Sequence, residues 1–161
     1  MLSAAFFVAS LIHVPIGPSN AHLILNGLVG LILGWAAFPA ILVALTLQCV
    51  FFQFGGFTTL GVNTLIMAWP AVVCYLVFGK LIQKDNRICA TAAFACGFLA
   101  VLLSGVLMGL CLVFTEENFL ETAAIILGAH IPVMLIEGIV TAACVAFLRK
   151  VRPETIFPKA V

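Results

Sequence analysis

Long apolar runs alternate with short polar breaks along this chain. The runs fall at roughly 1–14, 19–34, 36–54, 62–81, 88–114 and 119–148. A helix that crosses a bilayer core of about 30 Å needs about 20 residues at about 1.5 Å each. The last two runs exceed this and must tilt or project beyond the bilayer. The first two are too short to cross fully. They flank Pro15-Ile16-Gly17-Pro18, where proline withdraws backbone donors and glycine permits a turn. Irregular backbone of this kind is tolerated at membrane depth only where protein buries it or where it lines a cavity. Short, Pro/Gly-interrupted segments point to a transport binding site.

Composition turns the pattern into a class. Of the 161 residues, 65% are hydrophobic and 8% charged, against about 45–50% and about 25% in soluble domains. With a mean hydropathy of +1.31, the chain reads as all-α: a polytopic transmembrane helical bundle of about six segments. It forms a single integral membrane domain over 1–161, ending in a short basic tail from about 149. A net charge of +1 leaves no footprint for nucleic acid. HExxH, GxSxG, P-loop and GxGxxG patterns are all absent, which removes the common enzyme readings. Cys49, Cys74, Cys89, Cys96, Cys111 and Cys144 lack CxxC spacing and read as small hydrophobes. Gly30-xxx-Gly34 and Gly105-xxx-Gly109 are small-xxx-small helix contacts. They arise by chance too often in so Gly/Ala-rich a chain to assign a dimer.

The charges orient the bundle. Lys80, Lys84 and Arg87 share one break with Asp85, and Arg149, Lys150, Arg152 and Lys159 occupy the tail. The break between the last two runs carries Glu116, Glu117 and Glu121 and no base. The positive-inside rule places 79–87 and the C-terminus in the cytoplasm and 115–121 outside. Counting back, 55–61 is outside, the turn at 34–39 inside, and 15–18 outside. His13, His22 and Asn63 then lie toward the external face of a cell membrane protein.

A few polar residues need a reason to be here. His22 is expected one turn into a helix capped by Ser19 or Asn20, and a neutral imidazole is a common ligand for Ni, Co, Zn and Cu. The bland alternative is an interfacial histidine bonded to a carbonyl. His13 is expected to end the preceding helix and cover its carbonyls. His130, followed by Pro132, reads as a partner for carbonyls that the proline frees. Glu137 is the one acid deep in a run and shares a helix face with His130, as an intramembrane polar pair with a functional or a structural role. Gln48, Gln53, Asn63 and Asn26 line a polar cavity or tie helices together, the second being the commoner use.

At three stretches the sequence closely resembles the CbiM/NikM family, the substrate-binding membrane (S) components of energy-coupling factor (ECF) transporters for cobalt and nickel. They are GPSNAHLILNGLVGLILGWAAFPA, FGGFTTLGVNTLIMAWPA and AHIPVMLIEGIVTA, in the family's order. The resemblance implies a metal-ligand role for His22, with His13, Asn63 and Gln48 as pocket or supporting residues. The family's other ligands come from a Met-His N-terminus on the first of seven spans. This chain opens Met1-Leu2-Ser3, so the expectation is that the Met-His helix is absent from it.

The implied function is uptake of Co²⁺ or Ni²⁺ for cobalamin or nickel enzymes, with the metal as transported substrate and no permanently bound cofactor. The implied partners are a membrane coupling (T) subunit, cytosolic ATPase subunits, a small accessory membrane subunit and the lipid bilayer. The chain is expected not to be an enzyme. The competing reading is a truncated or decayed structural subunit that assembles with partners without binding metal. An intramembrane enzyme built on His130 and Glu137 has no nucleophile or paired metal motif behind it.

Overall fold

A computed structural model describes residues 13–16, 19–22, 25–52, 56–115 and 120–156. Two short strands, β1 (His13–Ile16) and β2 (Ser19–His22), form an antiparallel pair. Five helices carry most of the rest: α1 (Asn26–Leu33), α2 (Ala37–Phe52), α3 (Gly56–Phe78), α4 (Asn86–Thr115) and α5 (Leu120–Val151). A single-turn α6 (Pro153–Ile156) follows. The bundle is the all-α membrane architecture expected, with one small hairpin added at its N-terminal side.

Among the described residues, four helical stretches are long and apolar enough to cross a membrane: Asn26–Phe52, Gly56–Phe78, Asn86–Phe114 and His130–Val151. The first is not one straight rod. The Asn26 side-chain amide reaches the Met67 carbonyl oxygen, Gly30 stands against Ala71, and Gly34 faces the Tyr75 ring. Both numbers advance by four at each step, so α1 runs parallel to α3. Only residues 53–55 join α2 to α3, so α2 must run antiparallel to it. The chain therefore reverses at the 3₁₀ turn Gly34–Ala36.

Gly34 makes that reversal. Its φ is +56°, and its N–H returns to the Gly30 carbonyl. A side chain there would be strained by the backbone, and its Cβ would stand 2.9 Å from the Tyr75 ring. Trp35 beside it is 67% exposed, a position suited to a membrane interface. With eight residues, α1 spans only about 12 Å, less than half the hydrocarbon core. It is too short to cross the core alone.

The runs predicted at 36–54, 62–81, 88–114 and 119–148 correspond to α2, α3, α4 and α5. At 30 and 32 residues, α4 and α5 extend about 45 Å or more and overrun the bilayer core, as their sequence lengths require. The run at 19–34 is corrected. Ser19 and Asn20 are strand residues rather than helix caps, and the helix starts at Asn26. His13 likewise lies in β1 and does not end a helix. The predicted first run falls outside the described residues through position 12.

The core consists of two apolar clusters. Val29, Ile41, Ala44, Ala68, Ala71, Val101 and Met134 join α1–α5 at one level. Leu31, Ile82, Cys96, Val145 and Ile156 close the end where the basic segments lie. Arg149 donates from Nη1 to the Ile82 carbonyl at 3.5 Å, which brings the start of the basic tail to the 79–87 connection. The periphery is apolar: Phe51, Phe57, Trp69, Leu76, Phe114 and Phe147 are exposed, the surface a chain solvated by lipid presents. The six cysteines are unbridged, and Cys49, Cys74, Cys89 and Cys96 pack in the core.

Two tests follow from the α1 packing. A Cβ on Gly30 would collide with the Ala71 backbone, which cannot rotate away. Gly30→Val should therefore destabilise the detergent-solubilised protein by about 1–3 kcal/mol or more, read by denaturant unfolding. Gly61→Ala, where nothing stands within 4 Å, should stay within about 0.5 kcal/mol of the parent. Asn26 donates to Ser104 Oγ at 2.9 Å in a buried setting. Asn26→Ala should cost about 1–3 kcal/mol, and the Asn26→Ala/Ser104→Ala pair should cost less than the sum of its singles.

Candidate functional site

The site begins with the unfinished end of a helix. The first amides of any helix lack intrahelical acceptors, and α1 starts with Leu25 half-buried and Asn26 and Gly27 buried. Leu25 precedes the helix in a left-handed conformation, φ 51° and ψ 18°, and offers no side-chain cap. Asn26 satisfies one donor locally, its Oδ1 accepting from Gly27 N at 2.9 Å. The first helical bond, Val29 N to Leu25 O, closes at 3.0 Å.

The remaining acceptor comes from far along the chain. Leu25 N donates to Glu137 Oε1 at 2.8 Å and to Oε2 at 3.0 Å. Glu137 is fully buried on α5. A carboxylate on the amide end of a helix is favoured by the hydrogen bond and by the helix dipole. Asn26, Ser104 and the Met67 carbonyl make a polar group beside it. Thr141, one turn beyond Glu137, is also fully buried, and its hydroxyl has no hydrogen-bond partner.

Upstream of Leu25 the backbone brings the two histidines of the broken stretch together. In the β1–β2 register His13 is the cross-strand partner of His22, followed by Val14 with Ala21, Pro15 with Asn20 and Ile16 with Ser19. Directly opposed residues in an antiparallel pair have Cα atoms about 4.5–5.5 Å apart. Nine positions of sequence are thus folded into one rung. His22 sits three residues before Leu25, and β2 lies beside α5. The structure describes the backbone of His13 and His22 but not their imidazoles.

The other predicted residues are dispersed. Asn63 is half-buried on α3, one turn before Met67, and donates to Thr59 Oγ1 at 3.5 Å. Gln48 is half-buried on α2, and Gln53 falls outside the described residues. His130 is half-buried on α5, about 10 Å along the helix axis from Glu137 at about 1.5 Å per residue. Both oxygens of Glu137 accept from Leu25 N on the segment that leads into α1. Among the described residues, no three His, Cys, Asp or Glu side chains come together. Sequence reading missed Ser104. Its one available signal was its place seven residues after Gly97, on the small-residue face of α4.

This arrangement is a short helix whose amide end meets a buried carboxylate, preceded by a hairpin bearing two histidines. Comparison with known proteins gives it a family. Residues 1–155 match the model described as the cobalt uptake substrate-specific transmembrane region, CbiM. A putative metal transport protein of Haemophilus influenzae is 41% identical, over 97% of this chain and 77% of that protein. A putative fused nickel transport protein, NikMN, of Archaeoglobus fulgidus is 34% identical, over 99% of this chain and 55% of its own length. The cobalt transport protein CbiM of Sorangium cellulosum is 28% identical over 97% of the chain and 74% of that protein. No solved structure matches. With nearly its whole length matched, and with apolar helices built for a bilayer, the chain belongs to the CbiM family of cobalt and nickel uptake components.

Proposed function

We propose that this chain is the substrate-binding membrane component of an ECF-type, ATP-driven importer for Co²⁺ or Ni²⁺, and that His22 is a ligand to the metal. The observation that carries the reading is the backbone register. It sets His13 opposite His22 just ahead of the short helix α1. Histidine is a ligand type that suits a borderline divalent cation such as Ni²⁺ or Co²⁺. The chain carries no nucleotide motif, so the energy comes from cytosolic ATPase subunits acting through a membrane coupling subunit.

Orientation follows from charge. The Arg149–Ile82 contact supports placing both basic segments on one side, and the positive-inside rule makes that side cytoplasmic. The hairpin then opens toward the exterior, where the metal arrives. Asn63, a predicted pocket residue, lies one turn along α3 from the Asn26–Met67 contact.

In cells expressing the complete transporter, His22→Ala should abolish Ni²⁺ and Co²⁺ uptake per folded molecule. Uptake of radiolabelled metal, normalised to folded membrane protein, measures this, and normal transport would refute the ligand assignment. His130→Ala, mid-helix near Pro132, should lower the yield of folded protein more than intrinsic uptake. For orientation, Asn118→Cys should react with an impermeant thiol reagent in intact cells of a cysteine-free background, and Lys84→Cys should not. The opposite labelling pattern would invert the topology.

A further inference from the structure

We infer that Glu137 is a positioning residue for the metal-binding segment: its carboxylate pins the Leu25 amide and thereby fixes where His22 stands. The inference rests on the reading of His22 as a ligand and adds the group that holds it in place.

Four observations converge on this assignment. Both oxygens of Glu137 accept from Leu25 N, at 2.8 and 3.0 Å, although 112 positions separate the two residues. Glu137 is fully buried, so the carboxylate is held by protein rather than by water, and burying it demands a compensating donor. Leu25 occupies a left-handed conformation that is costly for a branched apolar residue, and its own side chain offers no cap to the helix. A tertiary contact must hold this backbone, and Glu137 supplies one. Finally, His22 is only three residues from the pinned amide, and β2 runs beside α5.

The geometry makes α5 the reference frame for the hairpin. A two-stranded hairpin alone is marginally stable. Anchored at Leu25, the chain has a fixed point three residues past the end of the second strand. Ligand placement tolerates little error, since binding geometry must be held to about 0.5 Å. A loosened anchor would leave His22 present but displaced for much of the time. The fraction of molecules competent to bind would fall, and apparent affinity would fall with it.

The test uses the full-length protein in detergent, titrated with Ni²⁺ and separately with Co²⁺. Affinity is read by calorimetry and metal geometry by the visible ligand-field spectrum. Glu137→Gln keeps the reach and one acceptor but loses the charge. Glu137→Asp keeps the charge and withdraws the carboxylate by one methylene. Each should weaken binding roughly tenfold, the ratio expected when a charge-assisted hydrogen bond becomes a weaker one, and each should alter the ligand-field bands. Variants are compared at equal folded fraction, and His22→Ala is measured alongside.

Loss of binding in His22→Ala, with weakened binding and changed bands in either folded Glu137 variant, supports the inference. Loss in His22→Ala with wild-type affinity and spectrum in the Glu137 variants overturns it and leaves His22 as a ligand. Wild-type binding in His22→Ala overturns the ligand reading and the positioning role together. Failure of both Glu137 variants to fold also overturns it, because Glu137 would then serve stability alone.

Discussion

One contact organises this molecule: a carboxylate inside the membrane accepting from the backbone at the start of a short helix. Helix ends are normally satisfied by water or by a nearby side chain. Where α1 begins, the Asn26 side chain serves only the Gly27 amide, and Leu25 has no side-chain cap to offer. Without Glu137, the Leu25 amide and the left-handed turn that carries it would be left to an apolar setting that penalises unpaired polar groups. With it, the chain can pass from hairpin to helix in the middle of the bundle. The carboxylate in turn finds the donor that its own burial requires. Each group is affordable only because the other is present.

The rest of the fold protects that junction. Gly30 lets α1 lie against the α3 backbone at Ala71, and Gly34 turns the chain back beside Tyr75. The α4 and α5 helices form the most extensive helix pair, and they present Ser104 and Glu137 to the same short segment. Three helices therefore converge on residues 25–27 with specific hydrogen bonds, while apolar packing holds the remainder. The result is a firm scaffold of long helices around one short interrupted segment.

Much of this was legible in the sequence. The long apolar runs located α2 through α5, with the start of α3 missed by six residues, because length and hydropathy largely decide what a bilayer accepts. The break at Pro15–Pro18 and the reversal near Gly34 were readable from proline and glycine. The start of α1 was not. Ser19 and Asn20 look like caps, and only the tertiary bond from Glu137 explains why the helix waits until Asn26. Glu137 itself stood out as a buried acid, but no spacing rule links position 137 to position 25. The pairing of His13 with His22 was hidden for a related reason. An apolar stretch containing two prolines carries no alternation to announce a hairpin, so the register emerges only from backbone pairing.

The account therefore stands or falls on whether the Glu137 carboxylate meets the Leu25 amide in a lipid bilayer. Solid-state NMR can measure this directly, with ¹⁵N placed at Leu25 and ¹³C at the Glu137 carboxyl. The hydrogen-bonded geometry predicts strong dipolar dephasing, corresponding to a nitrogen–carbon separation under about 4 Å. No measurable dephasing, placing the two nuclei beyond about 6 Å where no hydrogen bond can form, would contradict it.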